Sequence, residues 1–157
     1  AHFLDSPLVA AMCDALLGPG CILVASDAQR FTAATRWHAD EPPDSPYLTM
    51  KCLMYLDDLS DGRGSLAVLP GSHHADFGAQ VGAIARAVGK RSAEAGGLLD
   101  DPAARTEVGL AAAELPGAVA LRTRPGDLVF ASEQLLHASW GGRFGRRLLA
   151  LSFGAPS

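Results

Sequence analysis

The sequence predicts a mainly β fold, a small barrel or sandwich with a few helices packed outside it. Three observations lead there. Short segments rich in β-forming residues recur along the chain. Turn-forming stretches such as "DEPPDSP", "SDGRGS" and "LPGS" separate them. Helical spacing is confined to one segment at the start and to a stretch in the middle. At 157 residues the chain has the length of one domain and can bury one core, so residues 1–157 are read as a single unit.

Taken in order, "SPLVAAMCDALLGPG" reads as a helix, with Ser6 able to cap it and Pro7 suited to its first turn. Leu8, Met12 and Leu16 fall on one face, with Val9, Cys13 and Leu17 beside them, and Gly18, Pro19 and Gly20 end it. The apolar run "CILVAS", Cys21 to Ser26, reads as a buried strand. "YLTMKCLMYLDDL" is a long strand, and "SLAVLPGSHH" a strand running into a turn. "FGAQVGAIARAVGKRSAEAG" has helical spacing at Val81, Ile84, Ala85 and Val88, weakened by Gly82 and Gly89. "DDPAARTEVGLAAAEL" offers a second short helix or an insert, and "AVALRT", "GDLVFAS" and "RLLALSF" are three further strands.

Composition excludes several classes. The chain is 48% hydrophobic and 19% charged, an ordinary globular balance. A net charge of -4, with no large basic cluster, argues against nucleic acid and against an anionic membrane surface. No apolar run is long enough to span a bilayer. Cys13, Cys21 and Cys52 have no metal-type spacing, and their odd number in apolar surroundings predicts reduced, buried thiols in a cytoplasmic protein. An uncovered sheet edge would be expected to pair with another chain, giving a homodimer.

The stretch "TRWHADEPP" carries the first chemical signal. On a strand, His38 and Asp40 point to the same side and Ala39 to the other. One imidazole nitrogen and one carboxylate oxygen on a single face can grip a divalent metal, but a third ligand must come from elsewhere. His137, in the β-like "QLLHASWGGRFGRR", is the natural candidate. Two histidines and a carboxylate on one side of a metal leave open positions opposite, as non-haem iron oxygenases require. H-x-D by itself is a weak signal, since Asp also serves turns and caps. Nine positions after His137 comes Arg146, able to hold a carboxylate through two parallel hydrogen bonds. Strand parity separates it from Arg147, and Ser139 shares a side with His137.

The segments "WHAD", "MYLDDLSDGRGSLAVLPGSHH", "RPGDLVF" and "LLHASWGGRFGRRLLALSF", in this order and spacing, resemble the phytanoyl-CoA dioxygenase family. The resemblance covers about Trp37 to Phe153. It implies a mainly β fold with flanking helices on a double-stranded β-helix, or jelly-roll, cupin-like core. It implies an iron(II)- and 2-oxoglutarate-dependent oxygenase using O2, with His38, Asp40 and His137 on iron. It also implies that Arg146, assisted by Ser139, binds the far carboxylate of 2-oxoglutarate. Pro70 to His73 match a structural turn of the family, and Gly126 and Asp127 another. By the same resemblance, a carboxylate at Asp40 predicts hydroxylation, or desaturation or ring chemistry, in place of halogenation. The substrate would be a small metabolite or natural-product intermediate.

Trp37 and Trp140 flank the ligands and are either rim aromatics or substrate contacts. Thr49, Leu53 and Tyr55 share one strand parity and are expected to face the pocket, with Met50 and Met54 facing the outer layer. His73 and His74 are read as solvated or capping. Two other classes stay open: a β-helix module that binds metal or small anions without turnover, and a cupin-like metal isomerase or zinc hydrolase. The latter leaves Arg146 unexplained.

Overall fold

The computed structural model describes residues 3–31, 35–42, 45–74, 117–139 and 145–155. The helices expected between 77 and 115 lie outside them. A 3-10 turn (Phe3–Asp5) leads into α1 (Pro7–Leu17). Among the described residues eight strands follow: β1 (Ile22–Phe31), β2 (Thr35–His38), β3 (Thr49–Tyr55), β4 (Leu66–Val68), β5 (Val119–Leu121), β6 (Leu128–Ser132), β7 (His137–Ser139) and β8 (Arg146–Gly154). They build two four-stranded antiparallel sheets, ordered β1-β8-β3-β6 and β2-β7-β4-β5. Each β2, β4 and β7 step crosses from one sheet to the other, and this alternation is the jelly-roll wind.

Strand period two divides the core cleanly. From β3, Met50 and Cys52 point outward and pack with Leu151 and Phe153 of β8 against Val9, Cys13 and Leu17 of α1. Leu53 and Tyr55 point the other way and pack between the sheets with Leu148, Ala150, Leu66 and Val68. The parity expected from the sequence is therefore the observed one.

Two expectations are corrected, and on α1 the fold chooses between two faces. On α1 the buried stripe is Val9, Cys13 and Leu17, while Leu8 and Leu16 stand exposed. Both stripes have helical period, so the pattern was right and only docking chose the face. Ser6 occupies the cap position with an extended backbone but makes no side-chain cap bond. The strand expected at Cys21–Ser26 runs from Ile22 to Phe31 and is exposed along most of its length. Among the described residues it is an edge strand, paired only with β8, and its register shifts between Leu23 and Ala25. Among the described residues no helix is long and apolar enough to cross a membrane.

Candidate metal centre

The two histidines meet through register. β2 and β7 are antiparallel neighbours, and His38 lies directly opposite His137. Directly opposed side chains on a sheet sit close together, and the two rings are 4.3 Å apart between centroids. Asp40 arrives differently from the expectation. β2 ends at His38, so Asp40 is in the following turn and not on the strand. There the Asp40 and Glu41 amides both donate to the Glu133 carbonyl, at 2.9 and 3.0 Å. This clamp turns the carboxylate back onto the histidines. Asp40 Oδ1 is 3.6 Å from His38 Nε2, and Oδ2 is 3.5 Å from His137 Nε2. One ligand atom from each residue lies within 4.8 Å of the other two.

His137 is held in a form that could serve as a neutral ligand. Its Nδ1 sits 2.9 Å from the Leu135 carbonyl, which can only accept, so Nδ1 carries the proton and Nε2 is left bare toward Asp40. Burial holds this imidazole below its ordinary value, outweighing the Leu135 bond and the Asp40 charge that favour the cation. The turn after β4 supports the segment leading into β7. Buried Ser72 accepts the Leu136 amide at 2.8 Å, and the Leu69 amide donates to the Leu136 carbonyl at 3.0 Å. His73 and His74 stack on each other at 4.0 Å and form no part of the triad.

Arg146 and Arg147 part as strand parity requires. Arg147 is exposed and pairs with Asp57, Nη2 to Oδ1 at 2.9 Å. Arg146 is 4% exposed. Its Nη2 donates to Ser139 Oγ at 2.5 Å, its guanidinium lies 4.4 Å above the Phe31 ring, and its Nε is buried without a partner. No carboxylate lies within ion-pair reach of it among the described residues. Arg146 sits one layer behind the cleft wall, whose nearest members are Phe31, Ser139 and Tyr55.

The cleft beside these residues is open-mouthed, with a cavity volume of about 100 Å³. The triad, Leu53, Tyr55 and Ser139 all lie in its wall. Two expected contacts do not. Thr49 shares the side of Leu53 but lies beyond the cleft, its buried hydroxyl without a partner, and half-buried Trp37 is not among the lining residues. Trp140 lies outside the described residues. Four residues were missed. Lys51 has the parity of Leu53 and could have been found by it; its Nζ is 2.7 Å from Asp40 Oδ2. Gln29 and Phe31 come from β1, which the sequence ends at Ser26, and Glu133 had no local signal.

The donor set suits a borderline divalent transition metal: two imidazole nitrogens and a carboxylate on one side, a cleft on the other. The orphaned Arg146 Nε and the adjacent Ser139 hydroxyl suit an anionic group arriving from the cleft. A jelly roll carrying such a facial triad defines a class of mononuclear non-haem metal proteins. Within it, the model of the family described as phytanoyl-CoA dioxygenase (PhyH) matches residues 1–143, and the chain belongs to that family.

Solved structures agree on the fold. HygX from Streptomyces hygroscopicus, crystallised with nickel and 2-oxoglutarate, superposes with a TM-score of 0.66 at 19% identity over 97% of this chain and 63% of HygX. AviO1 from Streptomyces viridochromogenes Tue57 gives 0.64 at 19% identity over 98% of this chain and 60% of AviO1. SnoN, a non-haem α-ketoglutarate-dependent epimerase from nogalamycin biosynthesis, gives 0.58 at 18% over 94% and 52%. The chain thus spans less than two thirds of the length of each. Comparison with curated proteins gives no match.

Proposed function

We propose that this chain is an iron(II)- and 2-oxoglutarate-dependent oxygenase domain that hydroxylates a C–H bond of a small molecule. The convergence of His38, Asp40 and His137 within 4.8 Å carries this reading. These three would hold iron(II), and Arg146 with Ser139 would hold the far carboxylate of 2-oxoglutarate. Together with O2, that pair supplies the oxidising power to convert C–H to C–OH, with release of succinate and CO2.

The chain's own residues have distinct tasks. His137 presents a bare Nε2 because Leu135 retains its other nitrogen's proton. Asp40 supplies the negative charge. Arg146 offers an unused N–H in a water-poor site, where a charge-assisted bond is strong. Leu53, Tyr55 and Leu66 make the adjoining wall apolar, which excludes water and contacts the carbon skeleton of the substrate. HygX is also known with hygromycin B bound, which supports a small-molecule substrate here. SnoN is named an epimerase, so inversion at carbon is the alternative outcome of the same site.

The test is anaerobic titration with iron(II) and then 2-oxoglutarate, followed by visible absorption. A charge-transfer band is expected only with both present. It should vanish in His137→Ala and weaken in Arg146→Ala. A folded protein showing no band would overturn the proposal. Once a substrate is found, its product distinguishes hydroxylation from epimerisation.

A further inference from the structure

Lys51 is an unexpected neighbour for a metal centre. It lies on the inner side of β3, opposite Ala131 of β6 and Ser152 of β8. Its ammonium donates to Asp40 Oδ2 at 2.7 Å. A cation so close to a metal-binding carboxylate would repel a dication, because charge repulsion falls only inversely with distance. Something must offset it.

Glu133 does. Its side chain is buried, accepts the Ser152 hydroxyl at 2.7 Å, and lies 3.7 Å from Lys51 Nζ. A buried carboxylate is costly without a cation, and Lys51 is the cation within ion-pair reach of it among the described residues. Glu133 also touches Asp40 from the other direction, since its carbonyl accepts the Asp40 and Glu41 amides. It opens the turn that leads four residues later to His137. One residue therefore tethers Asp40 by its backbone and, through Lys51, by its side chain.

Resting on the metal-centre reading above, we infer that Lys51 and Glu133 form a charge-matched pair that positions the Asp40 carboxylate for a divalent ion, Glu133 acting through Lys51. Lys51 engages Oδ2 and restrains rotation of the carboxylate. Glu133 cancels the ammonium charge, so the restraint carries no net repulsion toward the metal. Both are positioning residues, neither a ligand.

Calorimetry with cobalt(II) alone, on the metal-free full chain, tests this. Four proteins are compared: wild type, Lys51→Met, Glu133→Gln and the double variant, with circular dichroism confirming that each is folded. Glu133→Gln should weaken cobalt(II) binding about 10- to 100-fold, the usual scale for a group that supports a metal ligand. In the Lys51→Met background the same change should cost less than about threefold, since nothing is left to compensate. The cobalt(II) absorption spectrum of Glu133→Gln should match wild type, because the Lys51–Asp40 bond survives, whereas that of Lys51→Met should shift. Equal losses in both backgrounds, or no loss in either, would overturn the coupling. An unshifted Lys51→Met spectrum would overturn the positioning role. Wild-type protein that binds no cobalt(II), or binds it as well after His137→Ala, would sink the metal-centre reading and this inference with it.

Discussion

Replacing Arg146 by Met separates what a functional arginine contributes to folding from what it contributes to binding. In the ligand-free protein this guanidinium is a buried cation with no carboxylate partner among the described residues. Truncation removes the bond to Ser139, a hydrogen bond to a charged group of about 1.5–3 kcal/mol. It also removes the contact over Phe31, about 0.5–2 kcal/mol. Against these stand relief of an unsatisfied buried Nε, about 1–3 kcal/mol, and relief of a desolvated charge, of order several kcal/mol. Met fills much of the same volume with an apolar stem. The opposing effects are similar in size, so ligand-free stability should change by less than about 1 kcal/mol or should rise. For a chain of this length that is a melting shift within about 4 °C. Binding should behave differently. Two parallel charge-assisted bonds to a carboxylate, at about 1.5–3 kcal/mol each, correspond to a loss of roughly two to four orders of magnitude in 2-oxoglutarate affinity. Thermal melting with and without metal and 2-oxoglutarate reads both quantities. Metal should stabilise both proteins, whereas 2-oxoglutarate added to the metal-loaded protein should stabilise wild type further and the variant not. A ligand-free melting point lowered by more than about 8 °C, with 2-oxoglutarate still stabilising the variant, would show that Arg146 is structural and refute the reasoning.

Other predictions follow from the same geometry. Ser72→Ala leaves the Leu136 amide without its acceptor and should cost about 1–3 kcal/mol in denaturant unfolding; cobalt(II) affinity should fall with it, because that amide leads into His137. Burial pushes the Cys13 and Cys52 thiols up to about 11, helped for Cys13 by Cys21 and for Cys52 by Cys13. Iodoacetamide at pH 8 should therefore label Cys21, the partly exposed thiol, well before the other two; equal labelling in the native protein would contradict the assigned packing. The lowered pKa of His137 means the metal-free folded state binds fewer protons than the unfolded chain. Its contribution to stability is present above the unfolded value of about 6.5 and is lost as pH falls from there through the lower folded value. His137→Gln should flatten that part of the stability–pH curve, and an unchanged slope would be the contrary result.

Much of this protein was legible along the chain. Period-two alternation correctly divided β3 into outward Met50 and inward Leu53 and Tyr55, and separated Arg146 from Arg147, because strand geometry is local and rigid. His38, Asp40 and His137 are recognisable by residue type and order as a set that could hold a metal, and the fold brings them together. What stayed hidden depended on pairing between distant segments. Helical spacing marked both the Leu8 and the Val9 stripes of α1, and only the sheet beneath decided which was buried. The start of β1 reads as a core strand because Cys21 to Ser26 is largely apolar, yet among the described residues the strand has a neighbour on one side only. His38 faces His137 because β2 and β7 are neighbours in one register, a fact that no spacing of 99 residues encodes. Asp40 reaches the site through two amides clamped on the Glu133 carbonyl, and not through the strand alternation that first drew attention to it. The sequence by itself determined which groups could bind metal and anion and which way each strand residue points. The tertiary structure alone decided which of them meet, and it brought in Lys51 and Glu133, whose proximity to Asp40 exists only once β3, β6 and the β2 turn are packed together.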